Sequence, residues 1–210
     1  MNYLLVLRAV NRAPMDTAEV SERIKAERSF SIRLLRYLNS PTFPLLVEVR
    51  SIPHALSLPG ERGTRKWVSL IAVTCVASGK PAQLVSLPLI RARICELLAP
   101  GAGLAVSAND LLLLGLLSAM DGILDMRMPD VLEEIAISED IRDALLGKTN
   151  KPRDIFEFVR NYERGCWEEI SSLAARLAIH EDAISPLYVE AVAWARKMLS
   201  GHEEAVSPSA

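Results

Sequence analysis

Residues 107–119 read Ser-Ala-Asn-Asp-Leu-Leu-Leu-Leu-Gly-Leu-Leu-Ser-Ala, and this run constrains the fold more than any other stretch. Ser107 followed three residues later by Asp110 is a capping-box start, in which two side chains satisfy two orphan backbone donors. The residues that follow are apolar nearly all round a helix, so that helix must be enclosed by other elements. Its expected extent is Ser107 to about Ile123. Leu111 to Ala119 is only about half the length a membrane span needs, so the expectation is a buried core helix rather than a bilayer segment.

The rest of the chain supplies helices to enclose it. Half of the 210 residues are hydrophobic but aromatics are only 5%. A large core is therefore available, built mainly from Leu, Ile, Val and Ala. Long Val/Thr/Tyr alternation is absent, which argues against a β-sandwich. Tyr3–Val10 is a first apolar run. Asp16 with Glu19 opens a second helix that buries Val20 and Ile24. Ser29 is expected to cap a third, with Ile32, Leu35 and Leu38 on its inner face and Asn39-Ser40-Pro41 as its stop. Ser51 caps a short helix with Pro53 in its first turn, closed by Leu58-Pro59-Gly60. Glu61–Val76 follows, with Trp67, Ile71 and Cys75 on one face.

Beyond a break at Gly79-Lys80-Pro81, Pro88 starts or kinks a helix to Leu98, and Pro100–Gly103 is a loop. Pro129 and Ser138 open two short helices. Pro152 precedes a helix to Arg164, and Gly165 separates that from Trp167–Ala178. Pro186 begins a last helix to Leu199. The pattern predicts an all-α protein of about ten to twelve helices. The expected organisation is an N-terminal helical subdomain over 1–77, a helical bundle over 78–200 and a disordered tail over 201–210. Trp67, Trp167 and Trp194 are expected as core or inter-helix anchors, whereas an exposed one would point to a partner surface.

Net charge is −2, which gives no bulk attraction to nucleic acid or to an anionic membrane. The charge is unevenly placed: Met1–Leu70 carries eleven Lys/Arg against six Asp/Glu, and Asp130–Ala210 nine against sixteen. Two solvated surfaces of opposite bias are the plain reading, and docking of complementary halves or copies is the functional one. Arg23, Lys25, Arg28, Arg33 and Arg36 suggest a basic face for DNA. The acidic half offsets it, and no recognition helix follows a tight turn. The three cysteines are far apart and form no Cys-x-x-Cys pair, as for small buried residues of a reducing cytoplasm.

Two blocks carry a family resemblance. One is Leu34-Leu35-Arg36-Tyr37-Leu38-Asn39-Ser40, then Ser51-Ile52-Pro53-His54-Ala55-Leu56, then Gly60. The other is Leu111–Leu124. In this order and spacing they resemble the HDOD domain, the "HD-related output domain" of bacterial signalling proteins. Arg91–Ala99, Met128–Ile135, Arg160–Ile170 and Tyr188–Ala195 are similar to the C-terminal half of proteins that join an EAL domain to an HDOD domain. EAL domains bind or cleave cyclic di-GMP. The resemblance implies a multi-helix, HD-like bundle in the bacterial cytoplasm.

Metal-binding HD phosphohydrolases and many HDOD relatives carry Gly-Leu-Leu-His-Asp on the corresponding helix. Here Gly115-Leu116-Leu117 is followed by Ser118-Ala119, and Arg91 and Arg93 stand where the first metal-binding His would fall. The resemblance thus implies no metal, no cofactor and no catalysis. Asp121 and Asp125 share a face if the helix persists, but two carboxylates without imidazole make a weak site. No Ser/His/Asp set, reactive cysteine or phosphate-binding loop replaces the missing chemistry.

The expected function is a regulatory output domain that works through protein contacts. Its expected partners are an EAL domain, another signalling protein or a second copy of itself, with neither nucleic acid nor membrane. The alternative is a sensor of a small anion or nucleotide in the vacated pocket. Arg91, Ser118 and His54 would wall that pocket, and Arg36 and Asn39 would line a polar groove facing Ser51 and His54. Arginine suits phosphate because its donors form a fork.

Overall fold

The computed structural model describes residues 2–39, 48–100 and 107–203, and among these every regular element is helical. Among the described residues thirteen α-helices follow one another. They are α1 (Asn2–Asn11), α2 (Thr17–Ala26), α3 (Arg28–Leu38), α4 (Ile52–Ser57), α5 (Gly60–Val76), α6 (Ala82–Leu98), α7 (Ala108–Leu117), α8 (Met120–Leu124), α9 (Met128–Glu133), α10 (Glu139–Leu145), α11 (Lys151–Arg164), α12 (Trp167–Leu177) and α13 (Ile184–Glu203). A 3-10 turn, Glu181–Ala183, precedes α13. The expected stop at Ser40-Pro41 and loop at Gly101–Gly103 lie outside the described residues, as does the tail from 204 onward. Helix α13 continues past Leu199 to Glu203, so it takes in the first part of the segment expected as tail.

Polar caps decide where several helices begin. Asp16 accepts from the N–H groups of Ala18 and Glu19, and Ser51 from that of His54. Asn150 accepts from Arg153 N–H, with Pro152 in the first turn of α11. The capping box of Ser107 and Asp110 is complete. Each such cap is worth about 1 kcal/mol. Ser29 does not cap α3: that helix starts at Arg28 after Glu27, and the Ser29 hydroxyl pairs with the Tyr3 hydroxyl at 2.9 Å.

The chain forms two compact units. The first comprises Met1–Gly79, Glu133–Ala136 and Arg196–Ala210. Its core brings α1 against α5 and α2, with α3 and α4 also on α5. Val6, Leu7, Val10, Val20, Ile24, Phe30 and Leu70 are fully buried there, each worth about 1.5–3 kcal/mol of transfer free energy. The inner face of α3 is Phe30, Leu34, Tyr37 and Leu38, while Ile32 is 41% exposed. The expected stripe was rotated because Phe30 and Tyr37, the larger side chains, win the interior. Asn11 Nδ2 donates to Ser69 Oγ at 3.0 Å, tying the end of α1 to α5.

The second unit comprises Lys80–Leu132 and Ile137–Ala195. Helices α6 and α7 pair most extensively; α11 closes over both, and α10 packs on α7 and α11. Leu111, Leu112, Leu114, Leu116 and Leu117 are all fully buried, as an all-round apolar helix requires. Pro88 lies inside α6 and is buried, so the helix runs through it from Ala82 instead of starting there.

The Leu-rich helix ends at Leu117, short of the expected Ile123. Ser118 turns its hydroxyl back onto Gly115 O at 2.7 Å, and Ala119 leaves helical geometry at φ −122°. A local side-chain bond of this kind offers the backbone an alternative to the helix. Asp125 then terminates α8 in the left-handed region at φ 55°, so Asp121 and Asp125 do not share one continuous helix face.

Candidate functional site

Gly115 sets the geometry of the second unit. A Cβ at this position would stand 2.4 Å from Ala92 N and 2.4 Å from the Arg91 carbonyl carbon. Only hydrogen fits, so the backbones of α6 and α7 approach as closely as they can. Arg91 therefore emerges directly beside the end of α7, where Ser118 lies one turn beyond Gly115. The last turn of α11 brings Glu163 to the same place.

The three side chains interlock. Arg91 Nη2 and Nε donate to Glu163 Oε2 at 2.6 and 3.1 Å, and Nε also reaches Oε1 at 2.9 Å. Arg91 Nη1 donates to Ser118 Oγ at 3.3 Å. The pair is nearly closed off from solvent, at 14% exposure for Arg91 and 12% for Glu163. A forked arginine–carboxylate contact of this kind is among the strongest polar contacts available.

Phe156 underlies the cluster. Its ring lies 5.7–5.8 Å from the guanidinium carbons of Arg91, Arg153 and Arg160, within cation–π range. Arg153 and Arg160 both pair with Glu157, and Arg153 also donates to Ala144 O at 2.9 Å. A cleft of about 390 Å³ opens over these groups, with Ser118 and Asp121 in its wall. Every guanidinium that faces it already has a carboxylate partner.

The chemistry of this constellation is limited by its donors. A guanidinium stays protonated and neither ligates a cation nor accepts a proton. Ser118 Oγ is spent on Gly115 O and Arg91, and Ala119 offers nothing. These residues do not fit a divalent cation, which wants imidazole or carboxylate oxygen and repels a fixed positive charge. Among the described residues, no group of three or more His, Cys, Asp or Glu is placed to hold a metal. Cys95 sits one turn from Arg91 but is fully buried, and burial pushes its thiol up to about 12, away from the reactive thiolate.

The other residues singled out from the sequence have different surroundings. Arg91 and Ser118 are together, whereas His54, Arg36 and Asn39 belong to the first unit. Asn39 exchanges two bonds with Val49, Nδ2 to O at 2.8 Å and N–H to Oδ1 at 2.7 Å. Its amide mimics a paired strand and ties the end of α3 to the segment before α4. His54 is half-buried on α4, with its N–H on Ser51 Oγ at 3.3 Å and its carbonyl accepting from Ser57 Oγ at 3.0 Å. Arg36 is exposed on α3. Arg93 is drawn to Glu96 and Glu190, each at 2.7 Å, beside the half-buried Trp194.

Several residues of the cluster escaped the sequence reading. Arg153, Phe156, Glu157 and Arg160 fall at helical spacing, a signal that was present. Glu163 had no local signal, because its partner is 72 residues away. Trp167, expected as an anchor, is 64% exposed. It stands edge-on to Tyr162 at 5.9 Å, and Tyr162 in turn lies 5.2 Å from Tyr188. Cys166 and Gly165 start α12 so that its first residue projects from the helix end, not into the core. Among the described residues no helix is long and apolar enough to cross a membrane.

Comparison with known proteins agrees with this architecture. The HDOD domain matches residues 2–151. The chain is 25% identical over 201 residues to an uncharacterised protein, YuxH, of Bacillus subtilis, covering 94% of this chain and 48% of that one. It is 24% identical over 191 residues to the cyclic di-GMP phosphodiesterase CdgJ of Vibrio cholerae, covering 91% of this chain and 44% of that one. The chain thus spans about half the length of the curated relatives it matches. No solved structure matches it. Glu163 and the arginines of α11 lie beyond the matched segment, so the partner that occupies Arg91 comes from outside it.

Proposed function

The chain belongs to the HDOD domain family, and from that premise we propose that it is a non-catalytic regulatory module acting through protein or interdomain contacts. The setting is cyclic di-GMP signalling, and the contact is with an EAL domain. One observation carries this reading. Arg91 is locked between Glu163 and Ser118, and by resemblance Arg91 falls where the first metal-binding His of hydrolytic relatives would stand and Ser118 where their next His would. A fixed cation there opposes the divalent ion that would lower the pKa of a bound water. The relationship to a cyclic di-GMP phosphodiesterase supports the signalling context. The exposed Trp167, with Val189 at 68% exposure next to Tyr188, supports recognition by contact, since protruding aromatics dominate binding energy at interfaces.

A sensor of small anions in the same cleft is the weaker alternative. An anion there must displace Glu157 or Glu163 from arginines that already hold them, and each displacement leaves a half-buried carboxylate unpaired. The deciding experiment measures hydrolysis of cyclic di-GMP and of a generic phosphodiester with Mg²⁺ or Mn²⁺. It then measures the hydrolysis rate of an EAL domain with and without this protein. The expected result is no intrinsic turnover and a changed EAL rate, reduced in effect by Trp167→Ala. Intrinsic turnover that a chelator abolishes overturns the proposal.

A further inference from the structure

A second arginine cluster, in the first unit, is built differently and does not depend on the reading above. Arg8 and Arg12 project from one face of α1 and its continuation, where Arg12 N–H still bonds Arg8 O at 3.1 Å. Arg23 faces them from α2. Between the helices lies a concave groove of about 490 Å³, in the size range of small-ligand sites. Its walls are these three arginines, and Leu5, Ala9 and Ala136 supply apolar surface.

The charges in this groove are not satisfied. Glu19 is the one carboxylate in its lining, and it is shared. It stands 3.9 Å from Arg12 Nη1 and 3.6 Å from Arg23 Nη2, both longer than a charge-assisted hydrogen bond of about 2.7–2.9 Å. Among the described residues no carboxylate pairs with Arg8. Glu133 and Glu134, on the same segment as Ala136, are exposed and do not line the groove. Three forked cations therefore converge on a concavity with one weakly held counter-charge, and two positive charges remain in excess. Exposed arginines ordinarily splay into water. Here the α1–α2 packing, closed over Val6, Val10, Val20 and Ile24, points them at a common space.

We propose that this groove binds a phosphate-bearing small molecule, with one or two phosphates in the arginine forks and an apolar or planar portion over Leu5, Ala9 and Ala136. The same phosphate chemistry is offered by a free nucleotide or by a lipid headgroup, and the test separates them. The uniformly ¹⁵N-labelled 210-residue chain is titrated with inorganic pyrophosphate, with GDP, and with phosphatidylglycerol vesicles against phosphatidylcholine vesicles.

The expected result is saturable movement of the amides of residues 5–12 and 19–23 with pyrophosphate and GDP. GDP should bind the more tightly because of its base. The triple variant Arg8→Gln/Arg12→Gln/Arg23→Gln should bind about tenfold or more weakly, and its far-UV circular dichroism reports folding. Each single Gln variant is measured as well, so that loss of binding is seen in chains whose melting temperature is unchanged. Response to phosphatidylglycerol vesicles alone, lost in the triple variant, assigns the phosphate to a lipid. Saturation by no probe, movement confined to other amides, or undiminished affinity in the triple variant overturns the proposal.

Discussion

Each unit gathers three arginines around a concave surface, and the two clusters are held in opposite ways. In the second unit Arg91, Arg153 and Arg160 ring Phe156 and are matched by Glu157 and Glu163. In the first, Arg12 and Arg23 share Glu19 at 3.9 and 3.6 Å, and among the described residues no carboxylate pairs with Arg8. The difference is one of burial. A guanidinium at 14% exposure cannot be left without a counter-charge, because desolvating an unpaired ion costs several kcal/mol. Arg12 at 69% keeps its hydration and needs no partner. Cations that are spent hold a structure together, and cations that are exposed and converge are available to a ligand.

That contrast can be broken at several points. The largest expected effect is at Gly115, whose missing side chain lets Arg91 reach Ser118 and Glu163. Gly115→Ala places a methyl 2.4 Å from the α6 backbone and should cost more than about 3 kcal/mol, at the upper end of overpacking effects. Thermal denaturation should show a melting temperature lower by roughly 10 °C. An unchanged value means that α6 and α7 are less tightly apposed than described.

Next comes Glu163→Gln, which leaves Arg91 half-partnered in a closed site. A loss of about 2–3 kcal/mol in urea unfolding is expected. Arg91→Met/Glu163→Met should restore most of it, since a well-packed apolar pair avoids the desolvation cost. If the double variant is no better than the single, the pair is not the closed ion pair described.

The smallest effect belongs to the other cluster. Glu19→Gln removes two long, solvent-screened ion pairs and a favourable first-turn charge on α2. It should cost less than about 1 kcal/mol while strengthening pyrophosphate binding in the groove. A loss as large as that of Glu163→Gln would erase the distinction between the two clusters.

Local signals were read well where the chain carries its own partner within one turn. Asp16, Ser51 and the Ser107–Asp110 pair cap the helices they were expected to open, because an N-cap bond is decided over three residues. The burial of Leu111–Leu117 followed from having no polar face to show water. Errors arose where long-range packing competes with local preference. Ser118 breaks α7 early, Ile32 lies outside the core, and Trp167 protrudes from the start of α12. In each case periodicity was present but did not say which neighbour would fill the space.

The candidate site divides along the same line. Ser118 and Arg91 stood out because of the residues they replace in a familiar segment. Arg36, Asn39 and His54 were grouped with them by closeness in sequence to one another, and their described contacts lie within the first unit.

Composition, caps and apolar periodicity determined by themselves that this chain folds as packed helices and that the run from Leu111 lies at the centre of one bundle. Those properties depend on each residue's own solubility and on partners a few residues away. Which arginines are spent and which stand ready was decided only by the tertiary structure. Arg91 meets Glu163 across 72 residues, and Arg8, Arg12 and Arg23 converge because two helices pack. Coulomb energy depends on separation and solvent access in space, and neither is written in the order of the chain.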